Sequence, residues 1–439
     1  MNDAGRRTLG SYVRVKHGFA FKGEHFTEAE TPDVLVTPGS FAIGGGFLAD
    51  KPKYYAGPVP DDYILQEGDL VVTMTDLSRA GDTLGYPAIV PRTLGRRYLH
   101  NQRIGLVEIE EGAEADKRFL FYRLRASDYR HHILATASGS TVRHTSPGRI
   151  REFETTLPAI SEQRAIAGVL GALDDKIEQN RRTARALERL ARAIFRAWFV
   201  DFEPVRAKAA GATSFASMPQ PVFDALPTRF VDSEIGPVPE GWEVKAIGGV
   251  VTAKGGGTPS TENPEYWDGG EHCWATPKDL SRLSHPVLLD TERRITDAGV
   301  NVISSGMLPV GTVLMSSRAP VGYLAIAGVP TAINQGFIAM VCDGPLPPTY
   351  VLNWAFNSMD VIKAHASGTT FPEISKRSFR PLPVVHPTGD VIAAYQQTAD
   401  PLFNLLAACV KENEQLAEMR DYLLPKLLSG QVRVEVAHG

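Results

Sequence analysis

The chain is poor in cysteine, has no long apolar run and carries no excess of positive charge, and each shortage removes a class of function. Its three cysteines, Cys273, Cys342 and Cys409, lie far apart among 439 residues. No CxxC pair or Cys/His cluster occurs, so neither a zinc site nor a disulfide framework is supported. A reducing cytoplasm is the expected setting. No apolar stretch approaches the ~20 residues needed to span a bilayer. The N-terminus MNDAGRRTLGSY has no apolar core, so no signal peptide is expected. The net charge of −4 argues against a nucleic-acid binder when taken alone. Distribution matters more than the sum: the first 25 residues carry Arg6, Arg7, Arg14, Lys16 and Lys22 against Asp3 and Glu24.

Catalytic signatures are missing too. There is no G-x-x-x-x-G-K-[ST] loop, no H-E-x-x-H and no G-x-S-x-G. The glycine runs IGGGF (43–47) and KGGGTPS (254–260) lack G-x-G-x-x-G spacing before a helix and read as irregular loops. Asn263-Pro264-Glu265-Tyr266 is one residue away from the N-P-P-Y with which amino-methyltransferases hold a flipped base. Glu replaces the second Pro, and no cofactor loop lies upstream. No pair of acids is singled out as a nuclease core.

What the chain does have is an internal repeat. ASGST (137–141) returns as ASGTT (366–370). GDLVVTMTD (68–76) matches GTVLMSSRA (311–319), and Asn101-Gln102 matches Asn334-Gln335, each pair opening an apolar, strand-like run. Leu157-Pro158 is paired with Leu382-Pro383. The order of the landmarks is kept, which implies two copies of one module.

Each copy leads into a long helical pattern. The first is predicted over about 162–200, with Ser161 as N-cap. Its seam reads Leu173, Ile177, Asn180, Ala184, Leu187, Ala191, Ile194 and Trp198, the alternation of four and three that makes a heptad. The second is expected to start near Asp390, with Asp400-Pro401 as a cap followed by Pro, and to end where Pro425 and Gly430 break it. Its seam reads Leu402, Leu406, Cys409, Asn413, Leu416, Arg420 and Leu423, widened by Leu405 and Met419. Such lengths exceed one small domain, so the helices are expected to pack on each other, antiparallel, about a pseudo-two-fold. Asn180 and Asn413 would set register at some cost in stability.

The resulting division is a first module at 1–158, a helix at 159–202, a Pro/Ala/Gly-rich linker at 203–240, a second module at 241–388, a helix at 389–430 and a tail at 431–439. The modules mix short strands with helices, so the fold class is α+β.

On these residues the chain resembles the DNA specificity subunit of type I restriction-modification enzymes. The segment 157–205, LPAISEQRAIAGVLGALDDKIEQNRRTARALERLARAIFRAWFVDFEPV, is similar to that family's central helical region. KHGFAFKGEHF (16–26), GDLVVTMTDL (68–77) and LHNQRIGLVEI (99–109) resemble its first target recognition domain. GGGTPSTENPEYW (255–267), TPKDLS (276–281), SSRAPVGYLAIA (316–327) and NQGF (334–337) resemble a second-domain type, and MRDYLLPKLLSG (419–430) its closing helix. The resemblance implies two target recognition domains separated by a coiled coil of two long antiparallel helices. It implies a subunit without catalysis, in which each domain reads half of an asymmetric bipartite site on double-stranded DNA. The helices would set the spacer and dock two methyltransferase subunits, and restriction/translocase subunits would join them. S-adenosylmethionine, Mg and ATP are expected only on those partners, with no cofactor, no metal and no membrane for this chain. The rival readings are a methyltransferase or nuclease with a fused reader, and a coiled-coil adaptor without DNA contact.

Base edges are read by Arg, Lys, Asn, Gln, Ser and Thr, and phosphates attract the cations. The candidate DNA contacts in the first module are Lys22, Thr75, Asp76, Gln102, Arg103, Ser140, Thr141 and Arg143. In the second they are Lys254, Thr258, Lys278, Ser316, Ser317, Arg318, Gln335, Thr369, Thr370 and Lys376. Arg143 and Arg318, each an arginine in a polar loop, lead the two sets.

Overall fold

The computed structural model describes residues 6–49, 51–368 and 372–434. Contacts divide the chain into two units, Met1–Lys176 with Leu416–Gly439, and Ile177–Gln415. Each unit is built on a core of four antiparallel strands. In the first, β1 (Val13–His17), β2 (Leu70–Thr73), β3 (Pro87–Ile89) and β4 (Ile104–Ile109) lie in the order β1-β4-β2-β3. In the second, β5 (Thr252–Lys254), β6 (Val313–Ser316), β7 (Leu324–Ala327) and β8 (Phe337–Val341) lie in the order β5-β8-β6-β7, with Val287–Leu288 added beside β7.

The central strands are mostly apolar because both faces of each sheet are covered. Successive side chains of a strand point to opposite faces. Leu70 and Val72 join a cluster with Phe119, Leu120 and Ile150. Val71 enters another with Val34, Phe41 and Ala88. In the second unit Val313 and Met315 face the large cluster holding Trp198 and Tyr350, and Leu314 faces one with Ala275 and Leu308. Each unit also has a parallel pair outside this sheet, Asp33–Val36 with Arg97–His100 and Cys273–Ala275 with Thr331–Ile333.

Hydrogen bonds show which residues correspond. Met74 N–H donates to Arg103 O at 2.8 Å as Ser317 N–H does to Gly336 O at 2.8 Å, and Leu9 N–H to Phe153 O at 2.7 Å as Ile247 N–H to Leu382 O at 2.8 Å. The latter pair corrects one expected match. Phe153 corresponds to Leu382, so Pro158 corresponds to Pro387 rather than to Pro383. The two Leu-Pro steps are a coincidence of composition.

The two long helices are α1 (Ile160–Phe199) and α2 (Gly389–Leu428), each of 40 residues. Ser161 lies inside α1: Gln163 N–H already donates to Ala159 O at 2.9 Å. In α2, Val391 and Ile392 donate to Thr388 O, so the helix is under way well before Asp400-Pro401. Neither Pro401 nor Pro425 breaks it. Proline in a helix interior costs about 3 kcal/mol, and burial offsets this: Leu424 and Leu427 beside Pro425 sit in the first unit's core. Tyr395 and Ala399 before Pro401 sit in the second's.

The helices pack on each other within both units. In the second, Asn180 Nδ2 donates to Glu412 Oε2 at 2.7 Å, Ala184 meets Leu406 and Cys409, and Trp198 and Phe195 approach Tyr395. In the first, Arg420 bonds Asp174 at 2.7 Å, and Ile166, Ala167 and Leu170 share a core with Leu424 and Leu427. Partners on α2 descend as those on α1 ascend, so the pair is antiparallel. Ile177, Asn180, Ala184, Leu406 and Cys409 are buried on the seam, while Leu173, Leu187, Leu402, Asn413, Leu416 and Leu423 are half-buried. Ile194 and Trp198 also belong to the second unit's main core. Leu405 and Met419 do not widen the stripe; both are 51% exposed.

Residues 203–240 are not an extended linker. They form helices at Glu203–Ala209 and Gln220–Ala225 and a short β-pair, Phe230–Val231 with Val238–Pro239. Phe202, Val205, Met218, Phe223, Leu226 and Val238 are buried in the second unit's core. Spaced large apolar side chains outweighed the Pro/Gly content.

Candidate nucleic-acid interface

In each unit four separate segments are tied together at one end of the central sheet. In the first unit they are 18–22, 74–83, 101–103 and 138–145. Phe19 N–H donates to His100 O at 2.8 Å, Gln102 N–H to Phe19 O at 2.9 Å, and Thr145 N–H to Met74 O at 3.0 Å. In the second unit Gly257 N–H donates to Ile333 O at 3.0 Å, and Ile374 N–H to Ser317 O at 3.0 Å.

Two glycines make the approach possible. A Cβ on Gly18 would stand 2.1 Å from Asn101 O, and one on Gly256 would stand 1.9 Å from Ile333 O. No other residue fits there. The asparagines beside them build turns: Asn101 Oδ1 accepts from Arg103 N–H at 3.1 Å, and Asn334 Oδ1 from Gly336 N–H at 2.8 Å. Gln102 and Gln335 therefore fall at the tip of the same turn in both units. The Ser-Gly steps of the two repeats are likewise held in the same way. Ser138 exchanges backbone bonds with His144, and Ser367 with Glu373. Gly139 and Gly368 adopt φ of +88° and +102°, which favour glycine.

The structure brings together most of the predicted contacts and withdraws some. Gln102 is half-buried with its Oε1 unpartnered, and Arg103, Ser140 and Thr141 are exposed. Arg143 is half-buried, its Nε donating to Arg79 O at 3.3 Å. Lys22 is exposed, 3.7 Å from Glu24. In the second unit Thr258 Oγ1 donates to Gln335 Oε1, Lys376 lies over Gly255, and Arg318 stands 3.8 Å from Glu373. Lys278 is exposed beside Pro277, which abuts Gly336, and it pairs with Glu292. Lys254 is half-buried within β5 rather than in a loop. Thr369 and Thr370 lie outside the described residues.

Four candidates are structural. Asp76 is 4% exposed. Burial opposes its ionisation, but the Thr83 hydroxyl and the N–H groups of Ser78 and Thr83 outweigh that and hold its pKa below the usual range. Its work is to close the loop 77–83. Thr75 is buried, sharing a hydrogen bond of 3.2 Å with His144 Nδ1. Ser316 is fully buried, its Oγ accepting from Gly322 and Tyr323 N–H and donating to Pro320 O. Ser317 is 3% exposed and is used through its backbone. In all four the residue type suited DNA, but the end of an inner strand buries it.

Sequence reasoning missed three exposed groups on these ends: Arg79, His144 and Glu373. The Asp76…Ser78 turn could have signalled the first. It also missed a repeated Thr-Pro turn after the parallel strand, Thr37-Pro38 and Thr276-Pro277, each with a capping box. The near-miss NPEY is a short helical turn whose Asn263 Oδ1 is spent on Glu265 N–H at 3.1 Å. Among the described residues no cluster of metal-ligating groups occurs, and no helix is long and apolar enough to cross a membrane.

Comparisons with known proteins point the same way. A family model for the type I restriction modification DNA specificity domain matches residues 55–189 and 239–417, more than half of the chain. The chain is 33% identical over 195 residues to the type I restriction enzyme MjaIX specificity subunit of Methanocaldococcus jannaschii, covering 44% of this chain and 45% of that protein. It is 26% identical over 356 residues to the HindI specificity subunit of Haemophilus influenzae, covering 72% of this chain and 77% of that one. The solved S subunit of a type I restriction-modification system from M. genitalium superposes with a TM-score of 0.58 at 16% identity, covering 97% of each chain. With a doubled sheet, a doubled loop cluster and two matching family segments, the chain belongs to the type I restriction-modification DNA specificity family.

Proposed function

We propose that this chain is the sequence reader of a type I restriction-modification complex and has no active site of its own. Each unit reads one half of an asymmetric bipartite target on duplex DNA. The helix pair fixes the spacer, and two methyltransferase subunits dock on it, with restriction/translocase subunits joining them. S-adenosylmethionine, Mg and ATP belong to those partners, and the complex works in the cytoplasm.

One observation carries the reading. The same backbone platform occurs in both units but displays different side chains: Arg143 and His144 in one, Arg318 with Glu373 in the other. A shared scaffold with unlike polar tips suits two half-sites of unlike sequence. Arg fits the O6/N7 edge of guanine, Glu accepts from cytosine N4, and Gln pairs with adenine. The contacts proposed are Lys22, Gln102, Arg103, Ser140, Thr141 and Arg143 in the first unit. In the second they are Thr258, Lys278, Arg318, Gln335, Thr369, Thr370 and Lys376, with Glu373 added.

The test is to map methylated positions produced by the assembled complex. Arg318→Ala and Glu373→Gln are expected to relax the sequence of one half-site only, and Gln102→Ala and Arg143→Ala the other. Each lost base contact weakens discrimination by about tenfold or more. Methylation without sequence preference by the unmutated complex would overturn the assignment.

A further inference from the structure

Helix α1 carries a face of arginines that the reading loops do not use. Arg181, Arg182, Arg185, Arg189, Arg192 and Arg196 are all exposed. At about 100° per residue they fall within one arc of about 100°, and at ~1.5 Å per residue the stripe runs about 22 Å. It lies on the side away from the buried Ile177, Asn180, Ala184 and Ile194. The whole stripe belongs to the second unit.

An ordinary solvated helix interleaves signs, because like charges four apart are destabilising by a few tenths of a kcal/mol. Here Arg181, Arg185 and Arg189 follow at that spacing, as do Arg192 and Arg196. The acids nearby are few. Glu178 serves Arg182 and Arg185, Glu188 serves Arg192, and Asp201 serves Arg196. Arg181 and Arg189 have no ion pair among the described residues. Exposed pairs of this kind hold weakly, so a stronger anion would displace them. No lysine stands in the stripe. A guanidinium presents a planar fork matched to phosphate oxygens, whereas an ammonium is a point charge.

The repeat supplies an internal comparison. Gly389 follows Ile160 by 229 positions and Leu428 follows Phe199 by the same 229. The counterparts of Arg185, Arg189 and Arg192 on α2 are Glu414, Glu418 and Asp421. The duplicated fold does not require a basic face at these positions, since its other copy is acidic there. The charge is specific to α1.

We propose that this arginine face binds the phosphate backbone of duplex DNA, as a sequence-independent contact in addition to those of the base-reading loops. The inference rests on the DNA-reading function proposed above. Phosphate contacts position a reader without informing it, so the face adds affinity and leaves the target sequence unchanged. It also gives a chain of net charge −4 a concentrated cationic surface.

The test uses the full chain assembled with its modification subunits. Arg181, Arg185 and Arg189 are replaced together by Gln, which keeps helix propensity. Arg229→Gln with Arg294→Gln, on exposed cations of the same unit outside the stripe, serves as the charge control. Affinity for a target duplex and for one of arbitrary sequence is measured across salt. Each lost phosphate contact lowers the slope of log K against log salt by about 0.9. Between about 50 and 200 mM salt the unmutated complex therefore loses some 40-fold more affinity than the triple variant. The methylated sequence stays the same, and the control variant keeps the original slope. An unchanged slope in the triple variant, with target preference intact, overturns the arginine contact alone. Loss of subunit assembly without a change in slope overturns it in favour of a protein-docking face. Failure of the unmutated complex to prefer its target brings down the DNA-reading assignment and this contact with it.

Discussion

His100 couples the stability of the first unit to acid. It is 1% exposed, its Nε2 donates to Ile104 O at 2.9 Å, and its Nδ1 is buried without a partner. Burial pushes its pKa down to about 4, against the pull of the Ile104 bond. Between the unfolded value near 6.5 and about 4, the unfolded chain binds a proton that the folded unit refuses. Stability is therefore complete above that window and falls as pH drops through it, by about 3 kcal/mol at the lower end. His100→Gln keeps a donor for Ile104 O and removes the titration. Urea midpoints at neutral pH and near pH 4.5 should drop for the wild type and stay nearly level for the variant. An equal drop in both would assign the acid loss elsewhere. The neighbouring residues show what sequence can and cannot disclose at this scale. The Asn101-Gln102 and Asn334-Gln335 repeats were legible because both turns need the same Asn. The burial of Thr75, Asp76, Ser316 and Ser317 was not legible, because hydroxyls and carboxylates at a strand end look the same whether they face water or close a loop.

At the scale of elements, the base of the helix pair in the first unit is fastened by Asp174. Its carboxylate accepts from Arg420 at 2.7 Å, from the Tyr122 hydroxyl at 2.7 Å and from Arg125 at 3.4 Å. Arg125, with a side chain only 6% exposed, also donates to Gly44 O at 2.7 Å in the glycine-rich loop. One acid thus joins α1, α2, the helix at Lys117–Arg123 and the IGGGF loop. Asp174→Ala strands a buried guanidinium, and such losses destabilise by on the order of 3 kcal/mol. Asp174→Asn, which keeps an acceptor, should lose less. Thermal melts of the two variants check the ranking, and equal melting to wild type would mean the cluster is solvent-screened. The helices themselves were legible from heptad spacing, since a seam of small and apolar residues has one physical use. Their outer ends were legible as well, but the prolines were not: Pro401 read as a first helical position and Pro425 as a break, yet packing of Tyr395, Leu424 and Leu427 carries the helix through both. The 203–240 segment failed for the opposite reason, its turn-forming composition hiding five well-spaced core residues.

For the molecule as a whole, the proposed spacer function turns helix length into base pairs. The division between the units falls at Ile177 on α1 and at Leu416 on α2. A heptad inserted into each helix at that level preserves the a/d pattern, so the seam can re-form without exposing apolar surface. Seven residues add about 10.5 Å of helix. At 3.4 Å per step this equals about three base pairs. Methylation mapping of the assembled complex is expected to return the same two half-site sequences with the gap longer by about three. An insertion of two residues per helix rotates the downstream seam by about 200°. That would turn the apolar stripe to solvent and cost folding rather than shift the gap. Half-sites that stay at their original distance in the heptad variant would mean that spacing is set by the partners or by the loops, and α1 and α2 would then serve only to dock and to brace.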